Sequence, residues 1–520
     1  MSDEYTLSDS SMPNQPEPYW RDSVDLPSFP SLEKDEEVDV AIVGGGISGL
    51  TTAYLLSREG VKVGLLEADV LLNGTTGHTT AKITAQHGAI YNEFISHLGE
   101  EKTRLYYEAA KDALQFIQNL VNEEQIDCDF SNEDAYLYTT MNRGVKKLEK
   151  ENDAYQKLGI EGGLVDSIPL NLPVKSALVM KNQAQFHPLK YLSFLVNKIK
   201  ENGGKIFENT VAVDIKQQPK PVIMTRNGPK LKANNVVVAS HFPFYDGGGL
   251  YFSRMYVERS YVLAAKVKGE CPDGMYLSVD SPSRSLRYTM RDGEKLAIIG
   301  GEEHKTGQGV NTQYHYEALE QYGMELFSDI DIQYRWSAQD MVTLDKLPYI
   351  GKISRTHPNI FVATGYRKWG MTNGTMAGLL LSDLILKRKN RYEVLYRPSR
   401  FIADPSVKKF ITHNADVAKQ LLQGKFDKSE LHPDDVKNDE SAVVTVNGKR
   451  AGAYRDKEGH LHVVDTTCTH MGCEVHWNHG DRTWDCPCHG SRYSYEGDVI
   501  EGPAKKPLTK IEGSDPSLSQ

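Results

Sequence analysis

The sequence has little of three things: long apolar runs, cysteine, and basic residues in excess of acidic ones. The chain of 520 residues has a net charge of −10, a hydrophobic fraction of 39 % and six cysteines. No apolar run approaches the roughly 18 residues that a membrane-spanning helix needs, and no basic stripe favours nucleic acid. We therefore predict neither membrane spans nor nucleic-acid partners. At roughly 150 residues per domain, the length indicates about three structural units.

The negative charge is concentrated at the amino terminus. Residues 1–37 carry ten acidic and two basic residues together with five prolines. This composition predicts an acidic, largely irregular leader. The leader has neither the basic start nor the apolar core of a secretory signal, so we expect a cytoplasmic protein.

A dinucleotide-binding motif follows the leader. Val38–Val43 is a β-branched run typical of a buried parallel strand, and it leads directly into a glycine-rich turn and a helical apolar pattern. In that turn Gly44 permits the tight bend, Gly46 lets the backbone approach a pyrophosphate, and Gly49 lets helix and strand pack closely. Glu67 ends the next short strand, 18 residues after Gly49, where an acid accepts ribose hydroxyls. The sequence therefore predicts a Rossmann-type nucleotide site.

Later segments indicate which dinucleotide is bound. A loop rich in glycine and threonine at 73–81, and strands at 209–211 and 236–240, follow in an order that resembles the FAD-dependent amine and amino-acid oxidoreductases of the glycine oxidase and D-amino-acid oxidase type. The resemblance covers about residues 38–398 and implies that the loop passes over the pyrophosphate and the flavin. Beyond the glycines and Glu67, it implies FAD contacts from Ser48, Thr75, Thr76, Thr79, Val211 and Ala239.

A second glycine-rich segment, at 345–374, resembles the part of that family that lies beside the flavin ring. An apolar helix pattern follows it, so the amino terminus of a helix would face the flavin. Reduced flavin carries negative charge, which the positive end of a helix dipole stabilises. The flavin-edge candidates are Gly365, Gly370, Met371 and Thr372.

Residues 246–335 alternate in polarity between glycine and proline turns, which predicts an antiparallel, substrate-facing sheet. Four side chains there and in the flavin-edge segment are candidates for the substrate pocket: Tyr261, Arg287, Arg335 and Lys368. A solvated arginine or a core tyrosine is the alternative for each of them. Neither the identity of the substrate nor the mode of flavin attachment, covalent or non-covalent, follows from the sequence.

The last part of the chain contains most of the cysteines. After a polar linker at 399–435, short β-type runs surround a Cys-x-His box at Cys468 and His470 and a Cys-x-x-His box at Cys486 and His489. Two thiolates and two imidazoles on a pair of loops suit either zinc or a Rieske [2Fe–2S] cluster.

Both boxes resemble those of Rieske proteins over about residues 436–512, with Gly502-Pro-Ala504 similar to a third loop. The resemblance implies a small all-β domain at 436–520 in which Cys468 and Cys486 bind one iron, and His470 and His489 the other. It further implies hydroxyl donors to the cluster from Ser491 and Tyr493, a potential in the upper part of the roughly −150 to +300 mV range, and a disulfide between Cys473 and Cys488. The remaining cysteines, Cys128 and Cys271, are read as structural thiols.

Together the two halves predict an α/β Rossmann-type FAD-binding domain with an antiparallel substrate sheet, followed by an all-β Rieske domain. The expected function is oxidation of an amine or amino acid by FAD, with electrons passed singly to the chain's own [2Fe–2S] cluster and then to an external acceptor. Two alternatives stay open. In one, an external donor sends electrons from the Rieske domain to the flavin, and in the other the chain is an electron-transfer or redox-sensing protein.

Overall fold

The computed structural model describes residues 12–511, apart from 14, 218, 310, 401, 423–430 and 447. Its helices are α1 Tyr19–Asp22, α2 Ile47–Arg58, α3 Tyr91–Leu98, α4 Glu100–Glu123, α5 Asn142–Leu158, α6 Pro188–Glu201, α7 Tyr251–Arg254, α8 Gln313–Phe327, α9 Gly370–Ile385, α10 Glu393–Tyr396 and α11 Ala403–Leu422, with short 3-10 turns at Thr75–His78 and Pro433–Asp435. None of the helices in this described part combines the length and the apolar character that a membrane span requires.

The strands fall into a flavin-domain group and a carboxy-terminal group. The first group comprises β1 Glu36–Val43, β2 Val63–Leu66, β3 Lys82–Ile83, β4 Ser131–Thr139, β5 Gly162–Val165, β6 Ser176–Gln185, β7 Lys205–Phe207, β8 Ala212–Gln217, β9 Pro221–Thr225, β10 Lys230–Val238, β11 Met255–Val267, β12 Met275–Ser278, β13 Arg284–Arg291, β14 Glu294–Lys305, β15 Ile330–Thr343, β16 Tyr349–Lys352 and β17 Ile360–Thr364. The second comprises β18 Glu440–Val446, β19 Lys449–Arg455, β20 Leu461–Val464, β21 His476–Asn478, β22 Thr483–Asp485, β23 Arg492–Ser494 and β24 Val499–Glu501.

A mostly parallel sheet forms the nucleotide-binding half. Its order is β16-β17-β10-β1-β2-β7, with β9 and β8 added at β10. The β-branched strand β1 lies between β10 and β2, parallel to both, and is buried on both faces as its composition predicts. Helices α2 and α9 pack against each other beside this sheet. A Cβ at Gly49 would lie 2.0 Å from the carbonyl oxygen of Gly44, so only glycine lets α2 begin this close to β1.

The second sheet has the order β15-β11-β14-β13-β12-β4-β6-β3, with β5 paired to β6. It is antiparallel apart from the parallel pair of β12 and β4, where Leu277 faces Leu137. The expected limits of 246–335 are therefore too narrow, because β3 to β6 precede them and β15 continues to Thr343. Local polarity patterns cannot reveal this, since β4 and the strands attached to it join the sheet through β12, whose residues lie 140 positions further along the chain (Ala135 pairs with Met275).

The described part of the acidic leader packs onto the flavin domain. Trp20 is fully buried, and its indole Nε1 donates to the carbonyl oxygen of Thr79 at 2.7 Å. Tyr19 donates to the carbonyl oxygen of Met290 at 2.9 Å, and the amide of Glu17 donates to the carbonyl oxygen of Arg335 at 2.8 Å. The composition of the leader does not reveal this anchoring, since its four aromatic residues weigh little against ten acids. Residues 1–11 and 14 lie outside the described residues.

The expected linker at 399–435 contains helix α11. Its Asn414 side chain donates to the carbonyl oxygen of Ser253 at 3.2 Å, and Asp416 pairs with Lys305 at 2.7 Å. Val417 and Leu421 pack against the core of the carboxy-terminal domain. The segment therefore connects the two domains through packed contacts, which its polar composition did not predict. Beyond it, β18–β20 and β21–β24 form two small antiparallel sheets.

Candidate functional site

A cavity of about 1120 Å³ opens at the carboxyl ends of the parallel strands. This is where open α/β sheets bind their ligands. The residues that line the cavity include most of the FAD contacts expected from the sequence: Gly44, Gly46, Ser48, Glu67, Thr75, Thr76, Thr79, Val211, Ala239, Gly370 and Met371. Segments separated by more than 300 residues thus contribute to one site.

Three expected contacts, Gly49, Gly365 and Thr372, are not among the lining residues. Gly49 lies in the close contact between α2 and β1. Gly365 has φ +81° and directly follows β17, and a Cβ there would meet Thr343 Cγ2 at 2.5 Å. The buried hydroxyl of Thr372 donates to the carbonyl oxygen of Thr84 at 3.1 Å. These three residues do not line the cavity themselves, but they pack against the elements that form its walls.

The glycine-rich turn is held in a form that suits a pyrophosphate. Glu67 is partly buried, and its Oε2 accepts from the Gly45 amide at 2.7 Å. Burial raises the pKa of Glu67 in spite of this hydrogen bond. A Cβ at Gly46 would lie 2.9 Å from Thr76 Oγ1, which itself accepts from the Ile47 amide at 3.2 Å. A side chain at Gly46 would therefore fill the cradle at the amino terminus of α2, so the residues present fit a dinucleotide.

The flavin-edge loop is fixed to the second sheet. The amide of Arg367 donates to the carbonyl oxygen of Met341 at 3.0 Å, and Tyr366 forms a β-bridge with Val342. The hydroxyl of Tyr366 also lies 2.8 Å from that of Ser48 on α2. Helix α9 begins directly after this loop, at Gly370, so its amino terminus faces the cavity as the sequence predicts.

The four expected substrate-pocket residues separate into two pairs. Tyr261 and Lys368 line the cavity, whereas Arg287 and Arg335 are not among its lining residues. Lys368 Nζ lies 3.4 Å from Glu303. The Tyr261 hydroxyl lies 3.0 Å from His304 Nε2, so it is already engaged within the protein.

Both arginines are structural, which corrects their assignment to the pocket. Arg287 is 1 % exposed, lies over the ring of Trp20, and donates to the carbonyl oxygen of Ala81 at 3.3 Å. Arg335 donates to the carbonyl oxygen of Gly480 at 2.8 Å, at the junction with the carboxy-terminal domain. Their positive charges therefore face protein groups and not the cavity.

Sequence reasoning missed several cavity residues, among them Lys82, His87, Glu258 and Asp340. They come from separate elements and form no motif, so only their proximity in space reveals them. The ring of His87 stacks on Trp369 with centroids 5.0 Å apart, and burial lowers the pKa of His87 to about 3. A neutral imidazole therefore lies beside the flavin-edge loop.

The carboxy-terminal domain brings the four expected iron ligands together. Cys468 and Cys486 are buried and outside any disulfide, and the rings of His470 and His489 lie 5.0 Å apart. Nδ1 of His489 is buried and has no hydrogen-bond partner among the described residues. Two buried thiols and two imidazoles, one with an unpartnered nitrogen, fit a [2Fe–2S] cluster.

Neighbouring groups complete this centre. The Tyr493 hydroxyl lies 3.2 Å from Cys468 Sγ, and Ser491 Oγ accepts from the Ala504 amide at 3.0 Å, which ties the third loop to the second box. Cys473 and Cys488 form the expected disulfide between the two boxes.

The carboxy-terminal domain docks on the second sheet through buried charges. Arg259 is fully buried and lies 3.2 Å from Asp481 and 3.5 Å from Asp485, while Arg492 contacts the same two acids at 3.0 and 3.3 Å. Residues of this domain also close part of the cavity wall, namely Arg492 and residues 499–505. The two domains therefore form one site.

The second histidine box faces the flavin domain. Gln339 Nε2 donates to the carbonyl oxygen of Gly490 at 2.8 Å, and the backbone oxygen of the same Gln339 accepts from Thr75 at 3.1 Å. A Cβ at Gly490 would meet Val257 at 2.7 Å, so the loop approaches the sheet as closely as glycine allows. Gln339 thus connects the pyrophosphate-side loop directly to the residue after His489.

The fold and these two centres define a flavin-dependent oxidoreductase with an iron–sulfur domain of its own. The family model described as "FAD dependent oxidoreductase" (DAO) matches residues 39–384, and the model described as "Rieske [2Fe-2S] domain" matches residues 429–512. The chain belongs to the FAD dependent oxidoreductase family and carries a carboxy-terminal Rieske domain. It binds FAD and a [2Fe–2S] cluster.

Two curated proteins and two solved structures illustrate the similarity. The Bacillus subtilis protein YhfW, named as a Rieske 2Fe-2S iron-sulfur protein, is 54 % identical over 497 residues, which cover 96 % of this chain and 98 % of YhfW. Gamma-glutamylputrescine oxidoreductase of Escherichia coli is 22 % identical over 70 % of this chain and 87 % of its own. Glycine oxidase of Geobacillus kaustophilus has a TM-score of 0.60 at 18 % identity, covering 71 % of this chain and 100 % of its own. L-proline dehydrogenase of P. horikoshii has a TM-score of 0.60 at 20 % identity, covering 71 % and 98 %.

Proposed function

We propose that this protein oxidises an amine or amino acid with FAD and passes the electrons one at a time to its own Rieske cluster, from which an external acceptor takes them. The observation that carries the proposal is the cavity of about 1120 Å³ whose wall both domains form. The names of the relatives support the substrate class, because glycine, L-proline and gamma-glutamylputrescine all contain an amino or imino nitrogen.

The residues of the nucleotide half would hold and tune the flavin. The turn at Gly44–Gly49 and the hydroxyls of Thr75 and Thr76 would bind the pyrophosphate, with Glu67 on the ribose. The amino terminus of α9, at Gly370 and Met371, would stabilise negative charge on the reduced ring. Bound FAD accepts two electrons from a substrate and can release them singly, whereas a [2Fe–2S] cluster takes one at a time.

The carboxy-terminal residues would bind the cluster and hold it close to the flavin site. Cys468 and Cys486 would ligate one iron, and His470 and His489 the other. Tyr493 and Ser491 would stabilise the reduced cluster by hydrogen bonding to sulfur. The buried contacts of Arg259 and the hydrogen bond from Gln339 would keep the His489 box against the flavin domain during transfer.

A substrate screen without oxygen tests the proposal. The protein with both cofactors is mixed with a panel of amines and amino acids, and the visible spectrum follows the flavin while electron paramagnetic resonance follows the cluster. We expect at least one member of the panel to bleach the flavin and the reduced-cluster signal to appear afterwards.

The matched control is the Cys486→Ser variant, which should still bleach its flavin and give no cluster signal. Reduced flavin beside a cluster that stays oxidised would refute transfer within the chain. A panel that leaves the flavin oxidised would refute the substrate class.

A further inference from the structure

One carboxyl group in the cavity belongs neither to the nucleotide-binding motifs nor to the two iron-ligand boxes. Asp340 lies on β15, opposite Glu258 on β11, and is 7 % exposed. Along β15 the side chains of Arg335, Ser337 and Gln339 reach the carboxy-terminal domain. Because successive side chains of a strand point to opposite faces, Asp340 points to the same face as Trp336, whose indole Nε1 donates to the carbonyl oxygen of His78 in the flavin-side loop at 2.9 Å. Asp340 also lines the cavity.

Asp340 is next to the flavin-edge loop. The following residue, Met341, accepts the amide hydrogen bond of Arg367, and Val342 pairs with Tyr366. Lys368, on the same loop, lines the cavity and pairs with Glu303 at 3.4 Å. A molecule placed against this loop would therefore meet the carboxyl group of Asp340.

The carboxyl group of Asp340 is buried without a partner. No described residue donates a hydrogen bond to it or forms an ion pair with it within 4 Å. A buried carboxylate without a partner is costly, and proteins pair such groups or keep them protonated. Burial accordingly raises the pKa of Asp340 to about 7. Lys368 and Arg259 favour the charged form, while Glu258 and Glu501 oppose it.

We propose that Asp340 is the group that binds the ammonium end of the substrate and takes up its proton. In this step one N–H bond of the ammonium ion breaks and an O–H bond forms on Asp340, which leaves a neutral amine and a neutral carboxylic acid. Oxidation at the carbon next to nitrogen needs the nitrogen lone pair that this transfer frees. The inference rests on the proposed function and narrows it, because the substrate is recognised as an organic ammonium ion.

Recognition of a substrate by its carboxylate calls for a free arginine. The two that the sequence offered, Arg287 and Arg335, are bound to protein groups. The arginines that line the cavity also contact protein groups: Arg226 donates to the Lys505 carbonyl, Arg367 to the His87 carbonyl, and Arg492 pairs with Asp481. Lys82 lines the same cavity, and burial lowers its pKa to about 7. Because it titrates in the same range as Asp340, Lys82 needs a control of its own.

The test uses the full chain with its cofactors and measures binding of tert-butylammonium, an amine without a hydrogen on the carbon next to nitrogen. Calorimetry at about pH 8.5 and about pH 5.5 brackets the carboxyl pKa, while the amine stays charged at both. We expect at least about tenfold weaker binding at the lower pH and in Asp340→Asn. The neutral isostere tert-butanol should bind equally at both pH values. Lys82→Met should keep the pH dependence of amine binding.

A second measurement needs no ligand. The infrared spectrum of the wild type minus that of Asp340→Asn should show a carboxylic acid band that disappears as pH rises through about 7. Burial also raises the pKa of Glu151 to about 7, but Glu151 is present in both proteins and cancels in this difference. Equal binding by Asp340→Asn, no binding by the wild type, or absence of the band would overturn the inference. A failure of the proposed function is distinguishable, since flavin that no amine reduces would leave the binding and the band intact.

Discussion

Replacing Arg259 by methionine should release the Rieske domain from the flavin domain. The guanidinium of Arg259 is fully buried and lies between Asp481 and Asp485 at 3.2 and 3.5 Å. Methionine keeps much of the apolar stem and removes the charge and its hydrogen bonds to Ser337 and Gln339. Two buried acids then share Arg492 alone.

Breaking a buried ion pair from one side costs about 3–5 kcal/mol, because a charge stays buried without its partner. The cost falls on the docked state, since Arg259 comes from the second sheet and both acids come from the Rieske domain. Each change of about 1.4 kcal/mol alters an equilibrium constant tenfold. The ratio of undocked to docked protein should therefore rise by at least about a hundredfold.

The assay follows two signals during thermal unfolding: flavin fluorescence, and visible circular dichroism of the cluster. In the wild type both should change together, whereas in Arg259→Met the cluster signal should change at a lower temperature. Transfer of electrons from photoreduced flavin to the cluster should also slow by about tenfold or more, in line with the lost docking energy.

The control is Arg388→Met, which removes an exposed partner of Glu59 and should leave both measurements unchanged. If Arg259→Met unfolds with coincident signals at the wild-type temperature and transfers electrons at the wild-type rate, the buried charges do not hold the domains together.

Three further predictions concern the same junction and the cluster loops. Gln339→Leu should slow flavin-to-cluster transfer and leave flavin reduction by substrate unchanged, whereas Gln308→Leu, which loses a longer 3.4 Å bond to the same loop, should change neither in stopped-flow spectra. Acidification should weaken docking. Burial opposes ionisation of Asp481, but Arg492 and Arg259 outweigh it and lower its pKa, so the stabilisation is complete above the unfolded pKa of about 3.9 and declines as pH falls below it. Undocking that instead increased between about pH 6 and 8 in the two-signal unfolding assay would contradict this assignment. Replacing both Cys473 and Cys488 by serine should destabilise the Rieske domain by about 3 kcal/mol, as expected for a link across 15 residues, and a cluster transition unmoved in the thermal scan would disprove it.

The sequence alone was sufficient wherever a function depends on neighbours along the chain. The strand, turn and helix from Val38 to Arg58 place the glycines by local backbone geometry, and Glu67 follows within one βαβ unit. The two boxes of the cluster place two thiols and two imidazoles on short loops, and the resemblance of these boxes to Rieske proteins implied the disulfide between Cys473 and Cys488. Such features can be recognised in the sequence because each is defined by a few residues that are close together along the chain.

Only the tertiary structure decided which charges face the cavity and how the domains meet. Arg287 and Arg335 were candidates for the substrate pocket, yet the guanidinium of Arg287 lies over the ring of Trp20 and that of Arg335 donates to the carbonyl oxygen of Gly480, both distant in sequence. Asp340 carried no motif and lies in the cavity because β15 pairs with β11 at the edge of the second sheet. Burial, and with it the energy and pKa of a charged group, depends on every chain segment packed around it, and that packing is set by contacts hundreds of residues apart.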